Sequence, residues 1–102
     1  MSFWVYILAS RRNGTLYTGH TDNLPKRVGQ HQDEDLPGFT SKYGVKMLVW
    51  FEEHATRDSA RNRERQIEEW RRAWKLRLIE MTNPDWKDLS LDLNNWYPYN
   101  TH

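Results

Sequence analysis

The dipeptide Asn13-Gly14 stands between two strand-like runs, and this arrangement constrains the fold more than any other feature of the chain. Upstream, Phe3 to Leu8 is an unbroken aromatic and aliphatic stretch, the pattern of a strand covered on both faces and therefore central in its sheet. Downstream, Thr15-Leu16-Tyr17-Thr18 reads as the returning strand. Asn-Gly tolerates the positive φ values that tight turns require, so the chain is expected to open with a β-hairpin. With Asn13 and Gly14 as a two-residue loop, Tyr17 lies opposite Ser10 and shares a sheet face with Leu8 and Tyr6. A four-residue loop keeps that parity, whereas an odd loop or a bulge reverses it.

Beyond the hairpin, Asp22 and Asn23 supply capping oxygens and Pro25 suits a first helical turn, which predicts a helix over about Leu24 to Gln32. Arg27 and His31, four residues apart, then share one helix face. Asp33 to Gly38 combines three acids with Pro37-Gly38 and reads as a surface loop, and Val45 to Phe51 repeats the buried-strand pattern. From Thr56 the pattern is helical, with Thr56 or Asp58 as cap and no Gly or Pro before Pro84. One long helix or two with a break near Trp70 to Lys75 fill this stretch. Ala60, Ile67, Trp70 and Trp74 trace an inward apolar stripe with one vacancy, occupied by Glu64.

A chain of 102 residues has room for one core, so residues 1–84 are expected to form a single domain. Residues 85–102 form a tail in which Trp86, Leu89, Leu91, Leu93, Trp96 and Tyr97 are too apolar to stay in solvent, and it is expected to pack on the domain or on a partner. The absence of cysteine excludes disulfides, thiolate nucleophiles and cysteine zinc sites. Six apolar residues before Ser10-Arg11-Arg12 make a strand rather than a signal peptide or membrane span, so the expectation is a cytoplasmic protein without a membrane partner. The formal net charge is only +1, yet residues 57 to 77 hold eight Lys or Arg against four acids. That local excess suits a phosphate backbone, and it equally suits a solvated helix face laced with ion pairs.

Glu64 is the most informative single residue. A carboxylate on an apolar stripe must be paired, protonated or bound to a cation, unless the stripe is rotated and Glu64 pairs with Arg61 at the surface. Tyr6 and Tyr17 place two phenols on one face, but a free pKa near 10 makes tyrosine a poor base without a nearby cation. Arg27 offers the bidentate fork that matches phosphate oxygens. His20 and His31 can shuttle protons, and the four histidines show no zinc-ligand spacing.

Taken in order, Trp4-Val5-Tyr6-Ile7-Leu8, Leu16-Tyr17-Thr18-Gly19, Asn23-Leu24-Pro25-Lys26-Arg27 with His31, and Ala60-Arg61-Asn62-Arg63-Glu64 resemble the GIY-YIG nuclease domain, in its small single-domain branch. Phe39 to Tyr43, Leu48 to His54, Trp70 to Lys75 and Asn83 to Leu89 extend the similarity to about residue 90. The resemblance implies an α+β fold, a three-stranded antiparallel sheet flanked by helices, and divalent-metal-dependent hydrolysis of DNA phosphodiester bonds. It implies Glu64 as ligand of Mg²⁺ or Mn²⁺, Arg27 on the scissile phosphate, and Tyr6 and Tyr17 beside the attacking water, with Tyr17 the favoured proton acceptor. It further implies catalytic roles for His31 and Asn83, and DNA contact by His20, Lys26 and Arg27. Trp4-Val5-Tyr6 replaces Gly-Ile-Tyr, Tyr17-Thr18-Gly19 replaces Tyr-Ile-Gly, and His20 stands where several relatives have lysine. A monomer or weak homodimer is expected. Two other functions fit the same residues: a nucleic-acid-binding module without catalysis, and a protein-interaction domain that uses the Trp-rich tail.

Overall fold

The computed structural model describes residues 1–33, 38, 42–91 and 93. Its elements, in order, are β1 (Phe3–Ala9), β2 (Leu16–Thr21), α1 (Leu24–Gln32), β3 (Met47–His54), α2 (Arg57–Glu68) and α3 (Arg72–Thr82). The strands form one antiparallel sheet in the order β2-β1-β3, so the continuous apolar run of β1 is central, as its sequence predicts.

The hairpin loop is longer than two residues. Ser10 N–H donates to Thr15 O at 3.0 Å and Gly14 N–H to Arg11 O at 2.9 Å, which leaves Arg11 to Gly14 as the loop. Asn13 adopts the left-handed region at φ 57°, the role for which Asn is suited. Tyr17 therefore pairs with Leu8 rather than Ser10, and the parity that puts it beside Tyr6 survives.

The two faces of β1 anchor two cores. Val5, Ile7 and Ala9 pack with Ala60 and Ile67 of α2, Ile79 of α3 and Trp86, while Tyr6 and Leu8 pack with Leu24 and Val28 of α1, Val45, Leu48 and Leu93. Capping fixes where the helices start: the Asn23 side chain accepts from Lys26 N–H, and Thr56, not Asp58, caps α2 by accepting from Ser59 N–H. The helical region does break, at Glu69 to Arg71, and this corrects the expected stripe. Ala60 and Ile67 are fully buried, but Trp74 belongs to α3 and is 52% exposed, with its ring edge-on to Trp70 at 6.1 Å.

A bulge interrupts the β1–β3 pairing. Ile7 faces Trp50 and Leu8 faces Leu48, which leaves Val49 as the extra residue. The segment after α3 covers this edge: Leu48 N–H donates to Asp88 Oδ1 at 3.2 Å, and Leu89 N–H donates to Leu48 O at 2.7 Å. Edge-strand groups that would otherwise template another strand are thereby closed. Of the expected apolar tail, Trp86 and Leu93 are buried and Leu91 is exposed, whereas Trp96 and Tyr97 lie outside the described residues, as does most of the Asp33 to Gly38 loop.

Candidate active site

Hairpin register builds the centre of the site. Tyr6 pairs with Gly19 and Leu8 with Tyr17, so the two phenols sit diagonally on adjacent strands with ring centroids 6.3 Å apart. Gly19 is required for this arrangement, because a Cβ there would lie 2.6 Å from Tyr6 Oη. α1 then brings His31 over the pair, with its ring 5.4 Å from that of Tyr17 and its Nε2 3.2 Å from Tyr6 Oη. Arg27, one helical turn earlier and exposed, is close enough for its charge to act on Tyr6, Tyr17 and His31. Lys26 is exposed in the first turn of the same helix.

The carboxylate arrives from the other side of the sheet. His20 pairs with Val5 and so shares the α2 face, and α2 packs on β1 and β2. At the β2 edge Glu64 Oε1 meets His20 Nδ1 at 2.7 Å, with 21% of the Glu64 side chain and 22% of the His20 side chain still exposed. The vacancy in the apolar stripe is thus a half-open carboxylate that histidine orients, not an Arg61 pair. Its negative charge reaches both Tyr6 and Tyr17.

Burial dominates the electrostatics. The Tyr6 phenol is pushed well above its ordinary range, first by burial and then by Tyr17, and the Arg27 charge only partly offsets this. Tyr17 is also raised, by burial and by Glu64. His31 is lowered by burial and by Arg27, so its neutral form is favoured. In the neutral tautomer that carries its proton on Nδ1, His31 Nε2 accepts from Tyr6 Oη. Glu68, one turn beyond Glu64, is raised by burial and by the neighbouring Glu64 carboxylate. Glu68 was missed in the sequence, although its i,i+4 spacing from Glu64 marks it as a neighbour on the same helix face.

Asn83 is not brought into this cluster. It closes α3 at the β3 edge, where its Nδ2 donates to Val49 O at 3.1 Å and Lys87 O at 2.9 Å while its Oδ1 accepts from Lys87 N–H. Val49 is the extra residue of the bulge, and Asn83 gives its carbonyl a hydrogen-bond partner.

A profile described as the GIY-YIG catalytic domain matches residues 2–77. The chain belongs to the GIY-YIG family. It is 38% identical over 76 residues to a UPF0213 protein of Clostridium perfringens, a match spanning 74% of this chain and 81% of that one. With a UPF0213 protein of Natronomonas pharaonis it shares 36% identity over 76 residues, 74% of this chain and 88% of the relative. The solution NMR structure of a UPF0213 protein from Bacillus halodurans superposes with a TM-score of 0.54 at 24% identity, covering 86% of this chain and 93% of that one, and it supports the shared fold. Membership places the chain in a nuclease family, with nucleic acid as the class of partner. Among the described residues, no helix is long and apolar enough to cross a membrane.

Whether a cation fits depends on the donor set. Among the described residues, no three His, Asp or Glu side chains gather into a cage. One half-open carboxylate, with space for water and substrate oxygens, suits a hard cation that keeps most of its hydration. Glu64 in the GIY-YIG fold of this chain fits that description.

Proposed function

We infer that the chain is a divalent-metal-dependent endonuclease that hydrolyses DNA phosphodiester bonds. The observation that carries this reading is the convergence of Tyr6, Tyr17 and His31 beside a half-open Glu64 carboxylate, with Arg27 acting on the same groups.

Glu64 would hold Mg²⁺ or Mn²⁺, which when bound polarises the phosphate and acidifies water. His20 fixes the orientation of the Glu64 carboxylate through their hydrogen bond. Arg27 binds the non-bridging phosphate oxygens and balances the charge that develops on them. Tyr17, half-exposed, is the phenol that solvent reaches, and it positions the attacking water. Because burial keeps both phenols protonated, neither is a strong base alone. With the His31 proton on Nδ1, Tyr6 Oη can give its proton to His31 Nε2 as it takes one from the site side. Lys26 adds charge for the DNA backbone on the α1 side. One such site cuts one strand, so double-strand cleavage takes a weak dimer or two encounters.

The test is incubation of the full chain with plasmid, linear and branched DNA in Mg²⁺ or Mn²⁺. Cleavage is expected, and Glu64→Ala and Arg27→Ala should each abolish it. Salt-dependent DNA binding without cleavage of any substrate would instead establish a non-catalytic binding module.

A further inference from the structure

An open cavity of about 260 Å³ adjoins the site, walled by Leu16, Tyr17 and Thr18 of β2, Glu68 of α2 and Lys75 of α3. Tyr17 belongs to both spaces, so whatever fills the cavity lies against a residue of the site. The wall is braced: Arg72 Nη2 donates to Asn13 O at 2.6 Å and to Gly14 O at 2.5 Å, which ties the first turn of α3 to the hairpin loop. Lys75, one turn beyond Arg72, is thereby held against the start of β2. Lys75 has no part in the chemistry above, and Glu68 enters it only as the neighbour of Glu64.

A DNA strand passing the site presents a phosphate and a base on each side of the scissile bond. Lys75 offers a point charge to a phosphate. Glu68 is the unexpected wall, because a carboxylate beside the backbone path repels phosphate. It suits the substrate best where the strand offers N–H donors, and those lie on base edges. Adenine, cytosine and guanine each carry an exocyclic amino group, whereas thymine presents two carbonyl oxygens around its single N–H. We propose that this cavity is the subsite for the nucleotide flanking the scissile phosphate, with Lys75 on its phosphate and Glu68 accepting from a base amino group, so that thymine is rejected there. The subsite rests on the nuclease reading and adds base selection to it.

The test uses the full chain and a DNA pool randomised around a fixed junction, read by sequencing both after binding without metal and after cleavage in Mn²⁺. Wild-type protein should deplete thymine at one fixed position by roughly tenfold, the size of one good carboxylate–base contact. Glu68→Gln and Glu68→Ala should erase that bias. Lys75→Ala should weaken binding of all sequences several-fold and reduce the salt slope by about one. An unchanged bias in both Glu68 variants overturns the proposal. So does a loss of Mn²⁺ binding by Glu68→Ala in DNA-free titration calorimetry, which would make Glu68 a metal ligand. Cleavage without any base bias overturns the subsite alone, and biased binding without cleavage in either metal overturns the nuclease reading alone.

Discussion

At the β3 edge, Asn83 commits its side-chain amide to Val49 O, Lys87 O and Lys87 N–H, and only 4% of the residue is exposed. At the β2 edge, Glu64 meets His20 with about a fifth of each side chain still open to solvent. Both residues are polar, partnered and set at the rim of the same sheet. The difference lies in what their partners leave over. Asn83 has its bonding closed inside the protein and serves the bulge, whereas Glu64 has an oriented carboxylate with room for further ligands.

The strongest way to break this contrast is Glu64→Ala. It should cut DNA cleavage by roughly a thousandfold or more, since several kcal/mol of charge stabilisation would go. Stability should change by only about 1 kcal/mol, because the side chain stays partly open to solvent and its hydrogen-bond partner is His20. A large drop in the urea midpoint would make Glu64 a structural residue instead.

Asn83→Ala should do the reverse. Stranding the Val49 carbonyl and the Lys87 groups should cost about 2 to 3 kcal/mol in urea denaturation. Cleavage per folded molecule should stay at the wild-type level, and a selective loss of kcat would return Asn83 to the catalytic set.

Gly19→Ala sharpens the comparison from the hairpin side. Its Cβ would fall 2.6 Å from Tyr6 Oη, so the phenol must shift from its place beside Tyr17 and His31 at a cost of about 1 to 3 kcal/mol. Both stability and cleavage should fall, and an unaffected cleavage rate would remove Tyr6 from the proton path.

The smallest effect concerns pH. Burial and Arg27 lower the His31 pKa in the folded state, and among the described residues Tyr6, Tyr17 and Arg27 are titratable groups that face it. The folded protein then binds fewer protons than the unfolded chain, so the stability that neutral His31 contributes is complete above about pH 6.5 and is lost as pH falls below it. Denaturation curves at about pH 7.5 and 5.5 should show this loss, and His31→Asn should reduce it.

Much of this was legible in the sequence because it is local. Asn13-Gly14 gave the hairpin, parity gave the shared face of Tyr6 and Tyr17, and Asn23 with Pro25 set the start of α1. The Glu64 vacancy was visible as a break in helical periodicity. What the sequence hid depends on contacts between distant segments. The extra residue Val49 carries no signature of its own, so the partner that its carbonyl requires could not be foreseen, and Asn83 was read by resemblance alone. Trp74 followed an unbroken-helix stripe that ends when the chain turns after Glu68. Glu68 and Lys75 line one cavity beside the Arg72 clamp on the hairpin loop, a contact between residues nearly sixty positions apart.

The most direct test of a cation site at the β2 edge is Mn²⁺ titration of the isotope-labelled chain, followed by paramagnetic broadening of its NMR signals. Signals of His20, Tyr17 and Glu64 should vanish first while those of Asn83, Trp86 and Leu89 persist, and Glu64→Ala should abolish the effect. Broadening centred on the β3 edge, or unchanged in Glu64→Ala, would contradict the assignment.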